Sequence, residues 1–303
     1  MCGLAGVILK ERARHEGSLA EIKRGFQNVL TSANDRGGHA TGFAEITKSG
    51  EYQLVKLALP AKLFFDSEDV VKTMRGIDKT STILMGHTRY ATQGSPLWSP
   101  NNHPIRAGHV IGTHNGWVSN DDELFDRFSL SRLAEVDSEV IFRMADTSKS
   151  VDEFINERFT KIRGKASIVW CDLERPEYVY LLKGNNPLSM AYHKRLNLIV
   201  YGSTWEIVKS SFDENELSRM KIKENRMIRI NTKTFKMVTT KVHWKPSELD
   251  SHLSRAPKVS GKYANTVRGF VPRYSYGDSY RQENIFGNVV ATDGSTIKKV
   301  KGS

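Results

Sequence analysis

Cys2 offers the most chemistry of any residue in the chain. A cysteine directly after Met1 becomes the true amino terminus once Met1 is removed, because its side chain is small enough for that processing. One residue then carries a thiol, nucleophilic as thiolate, and a free α-amine whose ordinary pKa of about 8 suits a proton acceptor near neutral pH. Nucleophile and base are supplied together, without a separate histidine. Cys2 equally fits an ordinary buried cysteine at the start of a strand, the usual fate of a free cysteine.

Four other places could act with it. Arg89 follows an apolar strand, so it is held near the interior and needs an acidic partner or an anionic ligand; its planar fork suits a carboxylate. Asn115-Gly116 reads as a turn after a strand, yet a side-chain amide beside a glycine N–H is also two donors aimed at one point, an oxyanion hole. Asp137 fits a helix cap, and equally an anion for an ammonium group. Arg36-Gly37 reads first as a surface salt bridge in a turn. His87, His103 and His114 lack the short separations of a zinc site, so hydrogen-bonded structural roles are expected of them.

The elements that must position these residues follow from periodicity. Residues 2–9 read as a buried strand. A helix is expected from Ser18, a potential cap with Glu21 three residues on, and Leu19, Ile22, Phe26, Val29 and Leu30 form its apolar face. Residues 41–46 and 52–57 form a hairpin, and 66–76 a short helix. The strand 82–87 delivers Arg89 into a loop, 93–104, carrying Pro96, Pro100 and Pro104; ordered loops of this length are usually functional. A strand over 109–114 ends at Asn115. Helices follow from Asp121, from Asp137 as cap, and over 151–162. From Lys165 the period becomes two, giving strands 166–171, 178–182, 188–192 and 196–201. A helix at 203–212 and a hairpin of 227–230 with 235–242 close the pattern. Strands and helices in blocks, with little βαβ alternation, indicate α+β with antiparallel sheets.

Composition sets the class. With 303 residues, 39% hydrophobic and 26% charged, the chain is long enough for a sizeable core. Two cysteines, Cys2 and Cys171, make neither a disulfide framework nor a cysteine zinc site, and fit a reducing cytoplasm. Neither a signal peptide nor a membrane span is expected. The net charge is +11, and residues 241–303 hold 11 lysines and arginines against five acids, more than half of that excess. Residues 244–303 are therefore expected to be a basic, polar tail, flexible or ordered by a partner.

Taken together the clusters resemble a known family, the glutaminase domain of class II glutamine amidotransferases, which are N-terminal nucleophile hydrolases. The resemblance runs through Cys2-Gly3-Leu4-Ala5-Gly6, Arg36-Gly37 with Ala40-Thr41-Gly42, Gly86-His87-Thr88-Arg89-Tyr90-Ala91-Thr92 and Asn101-Asn102-His103-Pro104. It continues through His114-Asn115-Gly116, Asp137-Ser138-Glu139-Val140-Ile141, Gly184-Asn185-Asn186-Pro187-Leu188 and Tyr201-Gly202-Ser203. Each motif alone is weak; six or more in one order are specific. The resemblance implies an amidotransferase domain over residues 2–243 with a four-layer αββα sandwich of two mostly antiparallel sheets.

It also implies roles. The Cys2 thiol attacks the glutamine side-chain amide while its own amine relays the proton. Asn115 and Gly116 hold the oxyanion, Arg89 takes the substrate α-carboxylate and Asp137 the α-ammonium. Thr92 contributes to the pocket, and residues 93–104 close over glutamine. Neither cofactor nor metal is called for. Many relatives carry an acidic residue where this chain has His39, and some a histidine where it has Gln93, and no chemical role attaches to either. The 60 residues after 243 are too few and too polar for a synthase domain, so the expectation is a stand-alone glutaminase feeding ammonia to a separate synthase or ligase. The alternatives are an amidohydrolase acting on another γ-glutamyl or peptide-like amide, or a non-catalytic binding protein. In the latter, Arg268, Arg273, Tyr274, Tyr276, Tyr280 and Arg281 of the tail would contact nucleic acid or a partner protein.

Overall fold

The computed structural model describes residues 2–245, all within the first, Met1–Val267, of the two units into which the chain divides. The basic tail expected over 244–303 therefore lies outside the described residues from 246 onward, and its nucleic-acid pattern with it.

Among the described residues, thirteen strands build two sheets. The first four are β1 (Gly3–Leu9), β2 (Ala40–Thr47), β3 (Tyr52–Leu57) and β4 (Ser81–Arg89). Then come β5 (Ile105–Ala107), β6 (Val110–Val118), β7 (Gly164–Asp172) and β8 (Tyr178–Lys183). The last five are β9 (Ser189–His193), β10 (Leu198–Gly202), β11 (Leu217–Met220), β12 (Arg226–Asn231) and β13 (Met237–Lys241). The seven-stranded sheet runs β11-β9-β10-β1-β4-β2-β3 and the six-stranded sheet β13-β12-β8-β7-β6-β5. Every pairing is antiparallel.

Strand alternation separates two kinds of face. Ala5, Val7 and Leu9 of β1 pack outward against Ile22, Phe26, Val29 and Leu30 of the helix Glu16–Ser32. Leu4 and Ile8 point the other way and meet Ile111, Val169 and Leu181 of the second sheet. That sheet's outer face is covered by Phe142 of the helix Glu139–Asp146, by Phe154 and Phe159, and by Trp244. Helices thus lie outside both stacked sheets, the expected αββα order. The layer between the sheets changes along its length. It is aliphatic around Ile8, Ile83 and Ile111, and polar at the other end, where His87, Arg89, Thr113 and Asn115 are all at most 4% exposed.

Several local expectations are corrected. The strand that carries Asn115-Gly116 does not end there. β6 continues to Val118, with Asn115 opposite Ser167 and Gly116 opposite Ala166, because β7 offers a full ladder. Asp137 is not a helix cap: Ser138 precedes the helix Glu139–Asp146, and Asp137 Oδ2 instead accepts the Val118 N–H at 2.5 Å. The first helix starts at Glu16, without a side-chain cap from Ser18. The expected helix over 151–162 is a single α turn, Val151–Glu153, capped by Ser150, followed by a wider turn Phe154–Arg158 and a tighter one Phe159–Lys161. Two short strands, β5 and β11, went unanticipated because three or four residues carry too little period. The domain boundary also moves. Trp244 is 1% exposed, stacks edge-on against Phe159 and donates from Nε1 to the Ile162 carbonyl at 2.8 Å, so it belongs to the packed body rather than to the tail.

Candidate active site

Ladder register brings the first residues of the chain to Arg89. Gly3 pairs with Thr88 and Leu4 with His87, so one further step sets Cys2 beside Arg89. The approach is close enough to demand glycine at position 3. A Cβ there would lie 2.5 Å from Thr88 Oγ1 and 2.6 Å from the Ala33 carbonyl, two atoms already hydrogen-bonded to each other at 2.7 Å. Ser203 then clamps the next residue, its Oγ accepting the Leu4 N–H at 2.8 Å and its own N–H donating to the Leu4 carbonyl at 3.0 Å. Cys2 itself is held twice: Arg36 Nε donates to its carbonyl at 2.9 Å, and its thiol donates to the Tyr90 carbonyl at 3.8 Å.

Charge around the thiol is mixed. Burial pushes the Cys2 thiol pKa up, while the Arg89 cation pulls it down and Asp137 pushes it up again. The net direction is upward, so the group at neutral pH is a thiol that needs a base to become a nucleophile. Arg89 and Asp137 sense one another as well as Cys2. Burial brings the Arg89 pKa down to about 10, which leaves it charged at neutral pH. Burial also raises the Asp137 pKa to about 6, against the opposing hydrogen bond from Val118. One cation and one anion therefore stand around one thiol.

Arg89 also holds the loop that follows it. Nη1 donates to Asn102 Oδ1 at 2.8 Å, and Nη2 donates to the Gly94 carbonyl at 2.9 Å and to the Gln93 carbonyl. The Asn102 carbonyl accepts from Lys56 Nζ at 2.9 Å, and burial beside Arg89 lowers that amine's pKa to about 7. Asn101, wholly buried, ties the loop to the segment carrying Asp137: Oδ1 accepts the Glu135 N–H at 2.8 Å and Nδ2 donates to Glu135 Oε2 at 2.8 Å. Residues 93–104 are thus an ordered loop, as expected. Thr92, at its start, is exposed, whereas Arg89 is buried and Cys2 and Asp137 are half-buried.

Asn115 lies on β6, across the sandwich from β1 and β4. Its side chain is 1% exposed, and neither Oδ1 nor Nδ2 has a hydrogen-bond partner among the described residues. Burying a full amide without a partner costs about 1–3 kcal/mol, so a chain that keeps one there reserves it for something else. Its backbone is fixed from elsewhere: Asn186 Nδ2 donates to the Asn115 carbonyl at 2.8 Å, and the Asn186 carbonyl accepts from Ser167 Oγ at 2.7 Å. Gly116 has φ +156°, and a Cβ there would come within 1.8 Å of the Lys165 carbonyl. Only glycine fits.

The histidines divide. His87 Nε2 donates to the His114 carbonyl at 3.1 Å and joins the two sheets; His114 Nε2 donates to the Lys165 carbonyl at 3.1 Å. Burial brings their pKa values down to about 3 and about 4, so both are neutral. These are the structural roles expected. His103 instead stacks on His87 with ring centroids 4.3 Å apart, and both its nitrogens are buried without partners among the described residues.

The structure therefore gathers Cys2, Arg89 and Asp137, sets Asn115-Gly116 on the facing sheet and leaves Thr92 outside. Arg36, assigned from sequence to a surface salt bridge, is instead a holder of Cys2. Asn102 and Asn186, quoted only as parts of motifs, orient Arg89 and Asn115. Their signal was present as asparagines in Pro-bearing loops, but a side-chain-to-backbone bond spanning 71 residues has no local periodicity to announce it.

No family model matches the chain. It is 25% identical over 224 residues to a 7-cyano-7-deazaguanine synthase of Sulfolobus acidocaldarius, covering 73% of this chain and 46% of that protein. It is 28% identical over 196 residues to a glutamine–fructose-6-phosphate aminotransferase (isomerizing) of Haemophilus influenzae, covering 62% of this chain and 29% of the relative. Among solved structures, glutamine phosphoribosylpyrophosphate amidotransferase from B. subtilis superposes with a TM-score of 0.61 at 18% identity, covering 79% of this chain and 49% of that one. The chain thus spans about half the length, or less, of the proteins it matches. In fold and in curated relatives it resembles the class II glutamine amidotransferases. The relatives' names divide between a synthase and a glutamine-dependent aminotransferase, so the resemblance defines a class of domain and leaves its reaction to the site.

Proposed function

We propose that this chain is a glutaminase domain that cleaves the side-chain amide of glutamine through Cys2, giving glutamate and ammonia. In this reading the free α-amine of Cys2 takes the thiol proton as Sγ bonds to the amide carbon. The proton passes to the departing nitrogen as the carbon–nitrogen bond breaks. Ammonia leaves, and water hydrolyses the thioester, returning the thiol. Asn115 Nδ2 and the Gly116 N–H stabilise the oxyanion. Arg89 and Asp137 hold the α-carboxylate and α-ammonium, and residues 93–104 exclude water from the bound substrate.

The observation that carries this reading is the placement of a buried cation and a half-buried anion about one thiol, the complement of a zwitterionic amino-acid head group. The orphaned amide of Asn115 supports it. Glutamine in a relative's name, the Haemophilus influenzae aminotransferase, agrees with it. The ammonia is destined for an acceptor enzyme or domain, since about half of each relative lies beyond the matched region. Among the described residues no helix is long and apolar enough to cross a membrane. Incubating the purified chain with glutamine and measuring glutamate tests the proposal. No glutamate, with Met1 shown by mass spectrometry to be absent, sinks it.

A further inference from the structure

One peptide group stands between the thiol and a histidine. The Tyr90–Ala91 peptide accepts the Cys2 thiol at its carbonyl, at 3.8 Å, and donates its N–H to His39 Nδ1 at 2.9 Å. The path is continuous: Nδ1 of His39, the N–H and C=O of a single planar amide, then Sγ–H of Cys2. His39 also grips both flanking residues. Its own N–H donates to the Arg89 carbonyl at 3.0 Å, and its ring stacks on Tyr90 with centroids 4.9 Å apart and planes at 29°.

We propose that His39 is a positioning residue for the Cys2 nucleophile, acting through the Tyr90–Ala91 peptide, and that protonating His39 releases the thiol from its aligned orientation. The N–H of Ala91 is a donor, so Nδ1 must present its lone pair and the ring must be neutral. Accepting that bond polarises the amide and makes the Tyr90 carbonyl a better acceptor for the thiol. A proton on Nδ1 turns an acceptor into a donor facing a donor. The peptide must then rotate away, and the thiol loses the group that orients it. Burial, and after it the positive charges of Arg89 and of the amino end of the chain, hold the His39 pKa below the usual histidine value and favour the neutral ring. The link is intact at neutral pH and opens in weak acid.

The turnover part of the test rests on the glutaminase reading; the structural part does not. In the isotope-labelled full chain, the Ala91 amide signal and the Cys2 Cβ signal are expected to shift together with the His39 ring, with one midpoint below about 6.5. In His39→Asn the side-chain Oδ1 keeps an acceptor near the Nδ1 position and cannot titrate, so that shared step should vanish from both signals. In turnover, His39→Ala should lower kcat about 10-fold with little change in KM, as expected for a misaligned nucleophile. His39→Asn should recover most of that loss and lack the His39 contribution to the acid-side fall. A Cys2 step that persists in His39→Asn overturns the proposal, as does an Ala91 signal indifferent to His39. Should His39→Ala fail to fold, His39→Asn carries the test alone. Signals that track His39 while no glutamate forms would reject the glutaminase and leave the link standing.

Discussion

The Arg36 guanidinium holds the backbone of Cys2, with Nε donating to the Cys2 carbonyl at 2.9 Å. The contact fixes the residue whose thiol and amine cooperate in the proposed reaction, and in that reading Arg36 acts without touching substrate. Arg36→Ala is expected to lower kcat about 10- to 100-fold, the scale of misplacing a reacting group by roughly 1 Å. Lysine lacks the fork, so Arg36→Lys should recover little of it. Steady-state kinetics check this; a change confined to KM would contradict a role in aligning Cys2.

Asn115 and Gly116 should separate function from folding. The Asn115 side chain gives up no hydrogen bond when removed, so Asn115→Ala should fold normally while kcat drops about 100- to 1,000-fold, as for the loss of an oxyanion donor. Gly116→Ala places a methyl group 1.8 Å from the Lys165 carbonyl and should destabilise the sheet itself. Thermal melts beside activity distinguish the two. An Asn115→Ala variant with full kcat removes the oxyanion assignment.

Asp137 predicts opposite pH trends for binding and stability. Its carboxylate must be charged to hold an ammonium group, so KM for glutamine should rise as pH falls through about 6. Stability runs the other way. The folded pKa is raised above the unfolded value of 3.8, so the folded state holds the proton more tightly. Stability therefore declines as pH rises from about 4 to about 6 and then stays lower, by on the order of 2–3 kcal/mol from this group. Asp137→Asn should raise Tm at pH 7 and raise KM at least about 10-fold, the cost of one ion pair. A lower Tm with unaltered KM would refute both halves.

The amino end offers the sharpest chemical test. Cys2→Ala should abolish turnover and Cys2→Ser should leave a trace, because a hydroxyl is far harder to ionise than a thiol. A retained Met1 converts the base into an amide nitrogen and should inactivate as completely. Mass spectrometry of the amino terminus, run beside the glutamate assay, decides it: full activity with Met1 attached rules out the mechanism.

Much of this architecture was legible in the sequence, for an identifiable reason. Strands such as 166–171 and 196–201 carry enough β-branched and aromatic residues at period two to declare themselves, and the antiparallel class followed. Cys2 stood out as a thiol next to Met1 and Arg89 as a cation after an apolar strand, whereas the expectation for Asp137 came from the resemblance of its motif. What escaped was set by tertiary pairing. Asn115-Gly116 looks like a turn until β7 supplies a partner, and Asp137 looks like a cap until Val118 offers its N–H. Arg36 looked like a surface residue because nothing local shows that the Cys2 carbonyl lies within its reach. His39 had no role until one peptide was seen to be shared.

The strand behind Cys2 lies in the middle of its sheet, between β4 and β10, although it comes first in sequence among the described strands. It cannot be closed in until Leu198–Gly202 has been synthesised and Ser203 can reach Leu4. Until then β1 keeps one edge unpaired beside β4, and the cluster about Cys2 is incomplete on that side. The surroundings of Cys2 are thus closed by a contact that spans 199 positions, so that end of the fold is among the last parts to be completed.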